Sequence, residues 1–156
     1  MINNLINLLN YDNVYLIVNF GILPFWILLI MLPNHGFTNF FTQSIIIPLI
    51  LAAAYIYVGY NIFLSGNILN SFELYRGLDG LYSMFSNEAF LLIFWIHFLT
   101  ISLFVGAWIV SDSRRHTIPR FFTIISLIFT YFTGPVGLIV YWLIRIFFAK
   151  RISFND

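Results

Sequence analysis

The amino-acid sequence predicts an all-α integral membrane protein: a four-transmembrane-helix bundle, with an amphipathic interfacial segment between the second and third helices. Three observations lead there. Of 156 residues, 61% are hydrophobic and only 8% are charged, with a mean hydropathy of +0.93. Ordinary soluble domains carry roughly 25% charged residues, so a chain this apolar needs lipid to cover it. Four stretches reach the roughly 20 apolar residues that a helix needs to cross the hydrocarbon core. None of them alternates as a barrel strand would, which leaves helices to satisfy the backbone in lipid.

The predicted spans are Val14–Leu32, Ile45–Leu64, Ala89–Val110 and Phe121–Phe148, within a single membrane domain covering residues 1–156. The N-terminal stretch MINNLINLLNYDNVY lacks the basic residues of a signal peptide, so the first span is expected to be a retained anchor. The connections Pro33–Ser44 and Ser111–Arg120 are short and predict antiparallel neighbours. The middle connection is different. Ile68, Phe72, Tyr75, Leu78, Tyr82 and Phe85 recur at spacings of three and four, with Asn70, Glu73, Arg76, Asp79 and Ser83 largely between them. That pattern predicts an amphipathic segment over residues 66–86, lying on the membrane surface in two short pieces because Gly77 and Gly80 weaken it. Trp26 and Trp108 fall toward one interface, Trp95 and Trp142 toward the other, as aromatic belts do. Arg76, Arg145, Lys150 and Arg151 are expected on one side, against Arg114, Arg115 and Arg120 on the other. That count gives no orientation.

The chemistry is sparse. With no cysteine, disulfides, thiolate metal sites and cysteine nucleophiles are excluded. A net charge of +1 implies no nucleic-acid partner. His35, His97 and His116 are not spaced as ligands, so neither a metal site nor a cofactor is expected. His97 is the one ionisable side chain well inside a span, where polar groups are costly and default to function. It shares a helix face with Trp108. The stretch Gly134-Pro135-Val136-Gly137 interrupts the last span. Pro135 has no N–H, so the Tyr131 carbonyl loses its helical partner and a kink is expected. Gly134 and Gly137 leave room for a backbone or a ligand, and His97 is expected to face this bend. Gly134, Pro135, Gly137 and Trp108 are therefore the candidate ligand-binding residues. Pro24 makes a similar interruption in the first span. Ser102 and Gly106 form a small-xxx-small pair suited to close helix packing. Arg114-Arg115-His116 reads as a solvated loop facing lipid headgroups.

Four segments in order, ILPFWILLIMLPN, GLDGLYSMFSN, IHFLTISLFVGAWIVSDS and GPVGLIVYWLIR, resemble the abscisic-acid-deficient, neoxanthin-synthase-like family of small four-span membrane proteins. The resemblance runs from Leu23 to Arg145. It implies a role in carotenoid metabolism, as in plant members, where an epoxy-xanthophyll is isomerised to an allene. Such a reaction needs an acid at the epoxide oxygen and a base for the departing proton. His97, Asp79 and Asp112 match positions where the family carries His and acidic residues, and they are the implied catalytic candidates. Two positions depart: the family usually carries an acid where this chain has Ser102, and often an arginine where it has Ala107. The family's bacterial members imply an inner (plasma) membrane location.

Two functional readings remain at this stage. In one, the chain binds or acts on a carotenoid-like polyene lipid, which suits its 21% aromatic content. In the other it is a non-enzymatic protein that packs with a second copy or a partner membrane protein. The lipid bilayer is a partner in both.

Overall fold

The structure is a computed structural model that describes residues 10–33, 35–41, 46–65, 72–73 and 75–149. These residues are helical: α1 Tyr11–Gly21, α2 Leu23–Met31, α3 Gly36–Phe41, α4 Ile46–Leu64, α5 Leu78–Phe85, α6 Glu88–Arg115, α7 Arg120–Thr133 and α8 Pro135–Ala149. Two segments, Tyr11–Met31 and Glu88–Arg115, are long and apolar enough to cross a membrane, while Leu49–Leu64, α7 and α8 are shorter apolar helices. Ile68, Asn70, Lys150, Arg151 and residues 34 and 42–44 of the expected Pro33–Ser44 connection lie outside the described residues.

The chain divides into two compact units, residues 1–22 with 49–99 and residues 23–48 with 100–156. In the first, α1 buries Val14, Val18 and Ile22, an i, i+4 stripe that gives the helix one packing face. Tyr15 of α1 meets Trp95 of α6 at 6.3 Å between ring centroids. Gly59 of α4 lies beside Ile93, and Tyr55 beside the His97 ring, so α4 runs antiparallel to α6. Asn87 starts α6: its side-chain oxygen accepts the backbone N–H groups of Ala89 and Phe90, satisfying two donors that a helix start leaves open. Within the expected interfacial segment, Leu78–Phe85 forms α5. It follows Gly77, whose φ is +121°, and it buries Met84 while leaving Leu78 and Tyr82 exposed.

The second unit holds α2, α3, the remainder of α6, α7 and α8. Arg114 and Arg115 close the last turn of α6, where cations complement the helix dipole. Pro119 stops continuation, and α7 returns antiparallel, with Leu127 and Trp26 against Gly106. A Cβ on Gly106 would come within 2.8 Å of the Trp26 ring, which is the close approach expected of the Ser102/Gly106 face.

One expectation is corrected here. Phe121–Phe148 is not a single kinked span: it is two helices of 14 and 15 residues folded back on each other. Phe122 at the start of α7 meets Phe148 at the end of α8, ring centroids 5.2 Å apart, and Gly137 lies against Thr130. At 1.5 Å per residue each arm is only about 22 Å long, short of the roughly 30 Å hydrocarbon core. The physical reason is local. Gly134 takes φ +59°, a left-handed conformation that ends a helix and favours glycine. Pro135 then occupies the first position of α8, where its missing N–H costs nothing and its φ suits the helix. Gly-Pro is a stop followed by a start. The arms pack closely because α7 presents Thr123, Ser126, Leu127 and Thr130, and α8 presents Gly137, Tyr141 and Arg145.

Candidate functional site

Because α8 doubles back, it runs parallel to α6, and two i, i+4 pairs come face to face. Asp112 and His116 lie at the end of α6, Tyr141 and Arg145 on α8. Arg145 and Tyr141 are fully enclosed, and Asp112 is 6% exposed. Arg145 Nε donates to Asp112 Oδ2 at 2.8 Å, and the Tyr141 hydroxyl donates to the same oxygen at 2.6 Å. Arg145 NH2 lies 3.1 Å from His116 Nε2, which in turn is 3.6 Å from Asp112 Oδ1. A guanidinium has donors only, so at this separation His116 Nε2 is the acceptor.

Aromatic rings close the cluster. The Arg145 guanidinium sits 5.0 Å from the Trp142 ring centroid, Trp142 stacks on Trp108 at 6.2 Å, and Trp108 meets Tyr141 edge-on at 5.6 Å. A buried ion pair with each partner further hydrogen-bonded is costly to break, by about 3–5 kcal/mol when one partner is removed. Chemically, the arrangement sets an imidazole and a phenol on either side of a charge-balanced pair.

Of the residues expected to carry chemistry, Asp112 is the one that belongs to this cluster. His97 is exposed, with its ring 6.4 Å from that of Tyr55. It belongs to the first unit, fifteen positions before Asp112 on α6. Asp79 is exposed in the first turn of α5. Trp108 joins the cluster as a packing ring. Gly134, Pro135 and Gly137 form the hairpin turn: Pro135 is exposed, and a Cβ on Gly137 would overlap the backbone and hydroxyl of Thr130. The room that Gly137 provides is taken up by α7. Sequence reasoning missed Arg145, Tyr141 and His116. The available signal was an arginine four residues after a tyrosine in an otherwise apolar run, matched by Asp112 and His116 at the same spacing.

Among the described residues there is no group of three or more His, Asp or Glu side chains arranged to hold a metal ion.

No solved structure matches this chain. The protein ABA DEFICIENT 4, chloroplastic, of Arabidopsis thaliana is 26% identical over 138 residues, covering 86% of this chain and 61% of the relative. The chain thus spans about three fifths of that relative's length. The sequence matches the ABA DEFICIENT 4-like family over residues 13–141, a stretch that contains Asp112 and His116 and ends on Tyr141. The chain belongs to the ABA DEFICIENT 4-like family.

Proposed function

We propose that this protein is a polytopic membrane protein that binds a carotenoid-like polyene lipid and performs proton transfer on it, with Tyr141 as proton donor and His116 as base. The observation that carries the reading is the enclosed Asp112–Arg145–Tyr141–His116 cluster in a chain of this family. Polar side chains are expensive in an apolar fold, and such groups mark functional sites by default. An epoxide-to-allene isomerisation, the reaction that the resemblance implies for plant members, needs an acid and a base at one centre. Asp112 would keep both aligned while Arg145 balances its charge. Ser102 and Ala107, where the family carries ionisable groups, favour a simpler substrate or a simpler isomerisation than the plant one.

In this reading the chain crosses the bilayer through Tyr11–Met31, α4 and α6. The α7–α8 hairpin enters from the face that α6 reaches last and leaves by the same face, in place of a fourth crossing. A second reading, a packing protein in which the cluster is a structural clamp, is favoured by the mutual satisfaction of its four side chains.

The test is expression in carotenoid-producing cells, purification in mild detergent, and measurement of the visible spectrum and extracted pigments. The proposal expects a bound or altered pigment in the wild type. It also expects loss of the alteration in Tyr141→Phe and His116→Gln, with circular dichroism of each variant showing wild-type helical content. A colourless wild-type protein with unchanged pigments overturns the reading in favour of the clamp.

A further inference from the structure

We infer that the pocket bounded by the end of α2, the α6–α7 turn and the first turn of α7 is a phosphate-binding site, of the kind filled by a membrane phospholipid headgroup. This inference is independent of the carotenoid reading. The pocket has a volume of about 420 Å³, and its polar lining consists of Ser113, Arg114, Thr117, Arg120 and Thr123.

Its charge has one sign. Arg120 donates to the carbonyls of Ile30 and Met31, and Arg114 donates to that of Pro33 at 3.4 Å. The two carbonyls orient the Arg120 guanidinium without neutralising it, and a guanidinium carries five donors. The helix α7 starts at this pocket after Pro119, which gives no side-chain cap. The partial positive charge of its first turn therefore adds to that of the arginines. No carboxylate is among the lining residues. Asp112, the neighbour of Ser113, is engaged by Arg145 and Tyr141.

Thr123 supplies the independent observation. It is 5% exposed, and its hydroxyl is buried with no hydrogen-bond partner. Other hydroxyls on α7 do not behave this way: Ser126, Thr130 and Thr133 each donate to the carbonyl four residues back. In the pocket wall, Ser113 donates to Val110 and Thr117 to His116. The Thr123 hydroxyl is thus a buried donor left open in the wall of a pocket that two arginines also line, and buried polar groups in folded proteins find partners. A phosphate oxygen accepts from a hydroxyl and from guanidinium N–H groups together, and headgroup phosphates lie where the apolar part of a membrane helix ends.

The experiment uses the full chain, delipidated in an uncharged detergent. Its thermal midpoint and binding isotherm are followed with short-chain phosphatidylglycerol, diacylglycerol and inorganic phosphate. Phosphatidylglycerol is expected to raise the midpoint saturably and diacylglycerol to leave it unchanged. Thr123→Val should bind about tenfold more weakly, the loss of one good hydrogen bond to an anion. Its ligand-free midpoint should be at or above the wild-type value, because the open donor is gone. Thr123→Ser should restore affinity. Saturation by inorganic phosphate with the same loss in Thr123→Val supports the site and identifies a free phosphate group as sufficient. Saturation by the lipid alone identifies a headgroup. Absence of a saturable response to either phosphate probe, or unchanged affinity in Thr123→Val, overturns the inference.

Discussion

Phe122 and Phe148 meet with ring centroids 5.2 Å apart, although they stand at opposite ends of an apolar run long enough to cross a bilayer. That contact fixes the direction of α8, and with it the meeting of Arg145 and Asp112. It also places Arg114, Arg115, Arg120 and Arg145 toward the same end of the second unit.

The hairpin has a topological consequence. A reporter fused after Asp156 is expected on the same membrane face as one inserted at Thr117, and on the opposite face from one inserted at Asn87. The arginine-rich end should be cytoplasmic, following the positive-inside rule. Protease accessibility or cysteine labelling in vesicles checks this; a single continuous last span would put the C-terminus on the Asn87 side.

The Asp112–Arg145 pair should be strongly coupled. Asp112→Leu or Arg145→Met alone should lower unfolding stability in detergent by about 3–5 kcal/mol, since each leaves a buried charge unpaired. The double variant should be less destabilised than either single one. Additive losses in a double-mutant cycle would contradict the direct pairing.

Gly137→Ala should disrupt the hairpin, at a cost of about 1–3 kcal/mol or more from overpacking. Thr130→Ala should not rescue it, because the overlap is with the backbone of Thr130 as well as its hydroxyl. Thermal unfolding of the three variants decides this.

His97→Ala should leave stability within about 0.5 kcal/mol of wild type, as for an exposed position away from special features. It should also leave the pigment phenotype intact. A loss of pigment alteration in this variant, with the fold retained, would move the reacting centre away from Asp112.

The long apolar helices of this fold were legible in the sequence, because hydrophobic runs are local, whereas Gly36–Phe41 was read as part of a connection. The hairpin was not legible. Gly134-Pro135 inside a uniformly apolar run reads equally well as a kink, and each arm alone is too short to announce itself. What distinguishes the two is contact between distant residues, Thr130 against Gly137 and Phe122 against Phe148. The remaining misplacements follow from that one. With α8 drawn as a continuation of α7, Arg145 falls among surface cations at the far end, His116 becomes a loop residue, and Asp112 has no partner. The same picture placed His97 beside a bend that turns out to be a turn packed against Thr130.

The clasp between Arg120 and the carbonyls of Ile30 and Met31 also sets an order of events during synthesis. The final turn of α2 leaves the ribosome long before its guanidinium partner exists, and it must wait with open acceptors while α3 to α6 are made. Only when the first residues of α7 emerge is the early segment fastened. Chains truncated before Arg120 should therefore leave that turn frayed, however well the preceding helices have inserted.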